Sequence, residues 1–509
     1  MKSSVDLFQL IKSLTKSEKR YFNIIASKKG KGKTNNYLKL FNAIDKQEEY
    51  DEKKIIHQFS DSIFIKHLPS EKNYLYHLIL KNLHIYHSAS SLETTVEELL
   101  HYVEILYNKG LFYQSKKMAE RVKEVTSAGE MYLQLIKLSK TQIKLGKLSD
   151  SYEDMQAELH DAIAGSRQAL KKLENLVEYN ELSAELFLFI RKEGEAIREE
   201  TDIRKIEKII HHPLMADEKR ALSFDAKIIY YFIKATYNFI IGNLEEALSL
   251  AIKECELIES HPEKKVSMSQ YTAVLSNISE IALSMKKYDT INVYMKKLKD
   301  IHSNVISEQG EQFYRYYDLY LRMYTSTGEF GKGIALAPVI ENGMIYYKKH
   351  IHKSRVISFY YHLAYSFFGA GDHKSALPWI NKILNDKTDL RGDILGFARI
   401  LNIFIHFELG NYPLLEHLFK SAHRFISTKG KMYQMEIHVL SFLKGLSRNY
   451  SEAVSRPAMT KFKSDLILLA DKYFEKPAFE YFDMISWLES KLECRSFSEV
   501  VQSKSRKIR

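Results

Sequence analysis

A turn signature returns along this chain at intervals near 40 residues, and that spacing restricts the folds open to it. Each instance sets a small residue first, then a polar one, then an aromatic residue or Leu that opens a short amphipathic stretch. The instances read GLFYQSKKM from Gly110, GKLSDSYED from Gly146, GEAIREE from Gly194, GNLEEALSL from Gly242, KKYDTINVY from Lys286, GEFGKGIAL from Gly328, GDHKSALPW from Gly371 and GNYPLLEHL from Gly410. Successive starts lie 36, 48, 48, 44, 42, 43 and 39 residues apart. A period of this size holds two helices and a turn, and such units stack so that each buries a face it could not bury alone. Glycine suits the position just past a helix, because the left-handed conformation there is cheap only without a Cβ. Ala247 and Ala376, five residues after their glycines, are small where two helices must cross closely.

Composition agrees with helices. The chain holds 20 Gly and 8 Pro in 509 residues, too few for the hairpin turns of a β-rich protein of this length. The prolines (Pro69, Pro213, Pro262, Pro338, Pro378, Pro413, Pro457 and Pro477) all fall at turns or near apparent helix starts. The expected class is all-α, an α-solenoid of antiparallel helix pairs behind a small helical N-terminal domain. Its expected divisions are a basic cap over 1–90, repeats over 91–470, and a C-terminal helix with a basic tail over 471–509. In the first division the spacing predicts short helices near 4–13, 16–27, 35–46, 51–59 and 70–88. Thr15 with Glu18 forms a capping box ahead of the second, and Ser70 is the expected cap of the last.

Two entries, Gly242-Asn243-Leu244-Glu245-Glu246-Ala247 and Gly371-Asp372-His373-Lys374-Ser375-Ala376, resemble the Gly-Asp-Tyr-x-x-Ala start of the second helix in tetratricopeptide repeats. Tyr360, Leu363, Ala364 and Phe367 are similar to that family's first-helix core positions, and Tyr317, Tyr320, Leu321 and Tyr324 follow less strictly. Family repeats have 34 residues; these are mostly longer, Leu415 stands where Ala is usual, and Lys286 replaces Gly. The resemblance implies a solenoid whose concave groove is lined by the first helix of each pair. In that register Arg315, Asp318, Arg322, Tyr361 and Tyr365 face the groove, joined by Ser276 and Glu280 from the preceding unit. Polar and charged side chains among tyrosines suit an extended peptide or a partner helix. They equally suit a solvated face.

The stretches LTKSEKRYFNIIAS, NYLKLFNAID and SEKNYLYHLILKNLHIY resemble the start of repeat proteins of Bacteroidetes-type bacteria, a resemblance that implies no particular activity. Short basic helices ahead of a repeat body also resemble bacterial regulators that join a DNA-reading domain to a peptide-sensing solenoid. Lys72, Asn73, Lys81 and Asn82 would be the base- or phosphate-reaching side chains of such a domain.

The net charge of +11 belongs to the ends. Residues 1–40 carry ten basic and two acidic side chains, and residues 491–509 carry six and two, which leaves the long body close to neutral. Clusters of this kind attract phosphate-rich partners and are equally common in solvated termini. Lys28, Lys29, Lys31 and Lys33 are the candidate contacts with nucleic acid or another anion.

No catalytic constellation emerges. Gly32-Lys33-Thr34 ends like a phosphate-binding loop, but Ser27 stands where its first glycine belongs. His77, His84 and His87 share a helix face without the Cys or His-Glu-x-x-His partners that zinc requires. No cofactor and no metal is expected, and the chain reads as one that holds other molecules rather than transforms them. Its expected function is a protein- or peptide-binding scaffold; the alternative is a nucleic-acid-linked regulator. Two cysteines, no apolar leader and no stretch of about 20 apolar residues give a cytoplasmic expectation.

Overall fold

The structure, a computed structural model, describes residues 3–28, 36–88, 92–193, 200–264, 266–386, 391–428, 433–448, 452–472 and 475–507. Every regular element among the described residues is helical. The chain forms two compact units, 1–173 and 174–509.

The first unit opens with α1 (Ser3–Ser13), α2 (Lys16–Lys28), α3 (Asn36–Asp45), α4 (Glu52–Gln58) and α5 (Leu68–Ser88). Leu7, Ile11, Phe22, Leu40, Phe41, Ile44, Ile55, Leu75 and Ile79 from these helices share one core. The capping box forms as expected: the Glu18 amide donates to Thr15 Oγ1 and the Thr15 amide to Glu18 Oε2 at 2.7 Å. Ser70 does not cap, because α5 already begins at Leu68. Next come α6 (Leu92–Asn108), α7 (Phe112–Ala128) and α8 (Tyr132–Gly146), which bury Val96, Val103, Ala119, Val122 and Leu138 in a second, smaller core. Helix α9 (Tyr152–Glu193) runs for 42 residues and carries the division between the units. The turn expected at Gly146 closes α8 without a left-handed residue and leads into α9. Its sequence explains the length: it has no Pro and one Gly, Gly165, whose Cα faces open space. The turn expected at Gly194 lies outside the described residues.

The second unit continues with α10 (Glu200–Ile210), α11 (Phe224–Ile240), α12 (Leu244–Glu259), α13 (Met268–Ser284), α14 (Tyr288–Lys299), α15 (Ile306–Thr327), α16 (Phe330–Ala335), α17 (Ala337–Tyr346), α18 (Lys353–Gly369), α19 (His373–Leu384), α20 (Gly392–Glu408), α21 (Tyr412–Thr428), α22 (Gln434–Arg448), α23 (Glu452–Ala470), α24 (Lys476–Tyr481), α25 (Met484–Glu493) and α26 (Phe497–Arg506). Sequential helices pack as neighbours. In addition α13 touches α15, α15 touches α18, α18 touches α20 and α20 touches α22. Pro378 and Pro457 sit inside α19 and α23 rather than at their starts.

One turn closes hairpin after hairpin. Gly110, Gly242, Gly328, Gly371 and Gly410 all have φ between 73° and 84°. At each, the next residue's amide reaches back five residues: Asn243 N to Asn238 O at 2.8 Å, Asp372 N to Phe367 O at 3.0 Å, Asn411 N to His406 O at 2.9 Å. This is the 6→1 bond of a Schellman cap, which satisfies a carbonyl the helix leaves open. Lys286 adopts the same conformation at φ 58°, with Lys287 N bonded to Ala282 O at 2.8 Å. Glu130 makes the same turn between α7 and α8, with Gly129 just before it in the right-handed region. Behind the turns, Ala247, Ala376 and Leu415 are fully buried, as are the first-helix residues Leu321, Leu363 and Ala364. Gly369 allows the Phe330 ring to lie on α18, and a Cβ there would run into it.

The left-handed region costs a residue with a Cβ roughly 1 kcal/mol that glycine does not lose. Lys286→Gly should therefore stabilise the protein by about 0.5–1 kcal/mol, read as a higher urea midpoint at unchanged slope. An unchanged or lower midpoint would show that this turn is not under conformational strain.

Candidate binding face on the second unit

The sequence-predicted groove residues come from α13, α15 and α18, three helices that touch in series. They separate into two groups. Ser276, Glu280, Arg315, Asp318 and Arg322 belong to one polar group, whereas Tyr361 and Tyr365 belong to another place.

Helix α15 supplies the centre of the first group. Asp318 is buried and accepts a hydrogen bond from Ser358 Oγ of α18 at 2.7 Å. Burial pushes its carboxyl above the usual carboxylate range, while Arg322, Ser358, Arg391 and Arg315 pull it back. One turn further on, Arg322 faces Glu280 of α13 at 3.6 Å. Arg315 Nε donates to Glu311 at 2.6 Å, and Glu311 also pairs with Arg355 of α18, whose guanidinium lies 4.9 Å from the centre of the Tyr314 ring. Burial raises the Tyr314 hydroxyl as well. His362 lies one turn beyond Ser358. Burial, with Arg322 and Arg391 nearby, depresses its imidazole to about 3, so the ring is neutral at ordinary pH. Its Nδ1 and the Oγ of the fully buried Ser276 have no hydrogen-bond partner among the described residues.

Ser358 spends its proton on Asp318. His362 is flanked by arginines that oppose its protonation. The part-exposed ions Glu280, Arg315 and Arg322 present a mixed-charge rim over a buried polar row, and each guanidinium offers five N–H donors, more than one carboxylate can take.

Tyr361 and Tyr365 are covered by the chain's own C-terminal segment. Tyr361 Oη donates to Tyr481 O at 2.9 Å, and the Asp483 amide donates to Tyr365 Oη at 3.1 Å. Between those anchors Phe482 is extended, and its ring lies 4.9 Å from Phe404 and 5.4 Å from Tyr365. Trp487 Nε1 donates to Glu408 at 2.7 Å, and Lys491 pairs with the same carboxylate at 2.6 Å. Ser498 and Gln502 both donate to Gly328 O at 2.9 Å. The basic C-terminal residues are thus partly neutralised in place: Lys504 pairs with Glu489 and Arg495 with Glu493. Sequence reasoning missed this strap, although five aromatics within 479–497 (Phe479, Tyr481, Phe482, Trp487 and Phe497) are a strong burial signal for a segment read as a helix and basic tail. It also missed Glu254 of α12, whose carboxyl burial pushes up to about 8.

In the first unit, Lys72 is buried and pairs with Glu52 at 2.9 Å, and Asn82 is buried and donates to Leu78 O. Two of the four side chains suggested for DNA contact are therefore turned inward. The Lys28 side chain and Lys29, Lys31 and Lys33 lie outside the described residues, as does the Gly-Lys-Thr stretch. His87 pairs with Glu18 at 2.8 Å, and no group of three or more His, Cys, Asp or Glu among the described residues is placed to hold a metal ion. No helix among them is long and apolar enough to cross a membrane. Comparison with protein-family models finds no match to this chain, and comparison with curated proteins finds none either.

The His362 imidazole has a definite pH signature. The unfolded ring takes a proton near pH 6.5 and the folded ring resists until about 3. Between those values the unfolded state binds more protons, so the stability that the neutral ring contributes is complete above 6.5 and is lost as pH falls toward 3. Urea midpoints of the wild type should drop more steeply over pH 6.5–4 than those of His362→Gln. An imidazole resonance titrating near 6.5 in the folded protein would overturn the assignment.

Proposed function

We propose that the second unit is a tetratricopeptide-like solenoid that grips a protein or peptide partner along the face formed by α13, α15 and α18. The observation that carries this reading is the row Glu280 of α13 with Arg322 and Arg315 of α15, two touching helices, part-exposed above a buried polar layer that α18 completes. The series of contacts from α13 to α22 is what stacked hairpins require. Burial of Tyr361 and Tyr365 by the strap confines the open part of the face to the earlier helices, so the partner-contacting set is Glu280, Arg315 and Arg322, with Ser276 buried beneath them. The bound species is an extended or helical segment carrying both acidic and basic groups, matched to the mixed charge of the rim.

Affinity purification from the native host tests this reading. The wild type should retain a discrete partner that Arg315→Ala/Arg322→Ala loses by tenfold or more, at an unchanged melting temperature. Undiminished capture by that folded double variant would remove the assignment.

A second reading rests on α2. Lys16 and Arg20 are exposed, make no ion pair, and line a shallow depression with Lys19, Asn23 and Ile24. This surface supports contact with a phosphate backbone. Retardation of duplex DNA or RNA at low salt, lost in Lys16→Glu/Arg20→Glu, is the expected result; no retardation by the wild type at 50 mM salt would exclude it.

A further inference from the structure

Within the second unit, the turn after α15 and the last helix enclose a cavity of about 390 Å³, a volume in the range of small-molecule sites. One wall is the turn and the start of α16, from Thr327 to Lys332. The other is the side of α26 that carries Ser498, Gln502, Ser505 and Arg506, positions that share one helix face. The walls are locked together. Ser498 Oγ and Gln502 Nε2 both donate to Gly328 O at 2.9 Å, and a Cβ on Gly328 would stand 2.8 Å from the Gln502 amide nitrogen. None of the rim residues of the α13–α15 face lines this cavity.

The ionic groups of the lining carry both signs. Glu329 gives Oε2 to Lys332 at 2.8 Å, while its Oε1 accepts no hydrogen bond from the described residues. On the other wall Arg506 is exposed and forms no ion pair among the described residues. Beside it Ser505 is only 6% exposed, yet its hydroxyl makes no hydrogen bond to any described residue. Buried polar groups are normally satisfied, so an open hydroxyl on a cavity marks the place of an outside partner.

We propose that this cavity binds a free amino acid as its zwitterion, with the ammonium at Glu329, the carboxylate at Arg506 and the Ser505 hydroxyl donating to that carboxylate. Charge selects the ligand. A phosphate or a dicarboxylate would set negative charge against Glu329, and a simple amine would set positive charge against Arg506 and Lys332. A zwitterion offers each wall its opposite. A peptide end carries one of the two charged groups and lacks the other, so the free amino acid is the better fit. Its side chain is small or polar, because Phe330, the aromatic residue of the lining, is 1% exposed and offers no apolar floor. Bound there, the ligand ties α26 to the turn and so stabilises the closed strap.

Thermal denaturation of the full chain with each common L-amino acid at 10 mM should single out one or a few that raise the melting temperature by about 1 °C or more. Calorimetric titration of the best of these should show one site per chain. Its N-acetyl and its amide derivatives, each lacking one charge, should bind at least tenfold more weakly. Arg506→Gln should weaken binding at least tenfold. Gly331→Leu should abolish it, since its Cβ meets open space on the lining and the rest of the side chain occupies the cavity. Lys507→Gln, an exposed neighbour outside the lining, should bind as the wild type does. Both Arg506 and Gly331 are exposed, so circular dichroism should be unchanged in the variants. The proposal is overturned if no amino acid raises the melting temperature, if inorganic phosphate at 10 mM raises it as much, or if either derivative or the Arg506→Gln chain binds undiminished.

Discussion

The left-handed turn with its backward amide bond is the device on which the second unit depends. Each such turn reverses the chain without leaving a helix carbonyl open, and it does so in two residues, so the second helix returns directly along the first. The unit can then be assembled from local hairpins, with Ala247 and Ala376 letting paired helices approach and Tyr288 and Phe330 filling the space beside the turn. Long-range order enters through first helices lying against one another, α13 to α15 to α18 to α20. Because the turn needs one backbone conformation and not one residue type, Lys286 and Glu130 can stand in for glycine at a modest cost in strain.

Stacking first helices has a chemical consequence. Side chains that a lone hairpin would leave in water are brought together from three helices, and the chain uses the opportunity for polarity rather than for more core. Asp318 and Ser358 satisfy each other across the α15–α18 contact, and Arg322, Arg391 and Arg315 stand near them with fixed positive charge. A carboxyl in that position specifies how the two helices register, because sliding one along the other would strand it without its partners. Burial, with Arg322 and Arg391 nearby, keeps His362 neutral. A layer so arranged is rigid beneath and charged at its rim, which is the geometry of recognition by complementary charge.

The hairpins were legible in the sequence wherever glycine marked the turn, because a residue chosen for its missing Cβ is a direct record of backbone geometry. The N-terminal helices were legible for a similar reason: the Thr15–Glu18 box writes its own hydrogen bonds into the residue types. The turn at Glu130 went unread although Gly129 stands just before it, because the left-handed residue there is not the glycine itself. The turn at Gly146 was legible too, but not the 42-residue length of the helix after it, because an uninterrupted run of helix formers carries no mark of where it ends. Within the candidate face, the register assigned Ser276, Glu280, Arg315, Asp318 and Arg322 to adjacent helices, and they are adjacent. It could not show that Asp318 and Ser276 are sealed under the rim, because burial depends on neighbours 40 residues away.

Tyr361 and Tyr365 show most clearly what periodicity leaves out. Their register is that of groove residues, and their hydroxyls do hold an extended main chain, that of Tyr481, Phe482 and Asp483. The inner surface of the last helices is thus complementary to a peptide, and the peptide is the protein's own. A repeat array ends with an apolar face that has no next repeat to cover it. Here the chain turns back, and Phe482, Met484, Trp487, Leu488, Phe497 and Val501 enter the largest core while Lys491 and Gln502 tie the strap to Glu408 and Gly328. A segment buried to that degree is part of the structure rather than a displaceable tenant, and it covers the tyrosine pair while the charged stretch from α13 to α15 stays part-exposed.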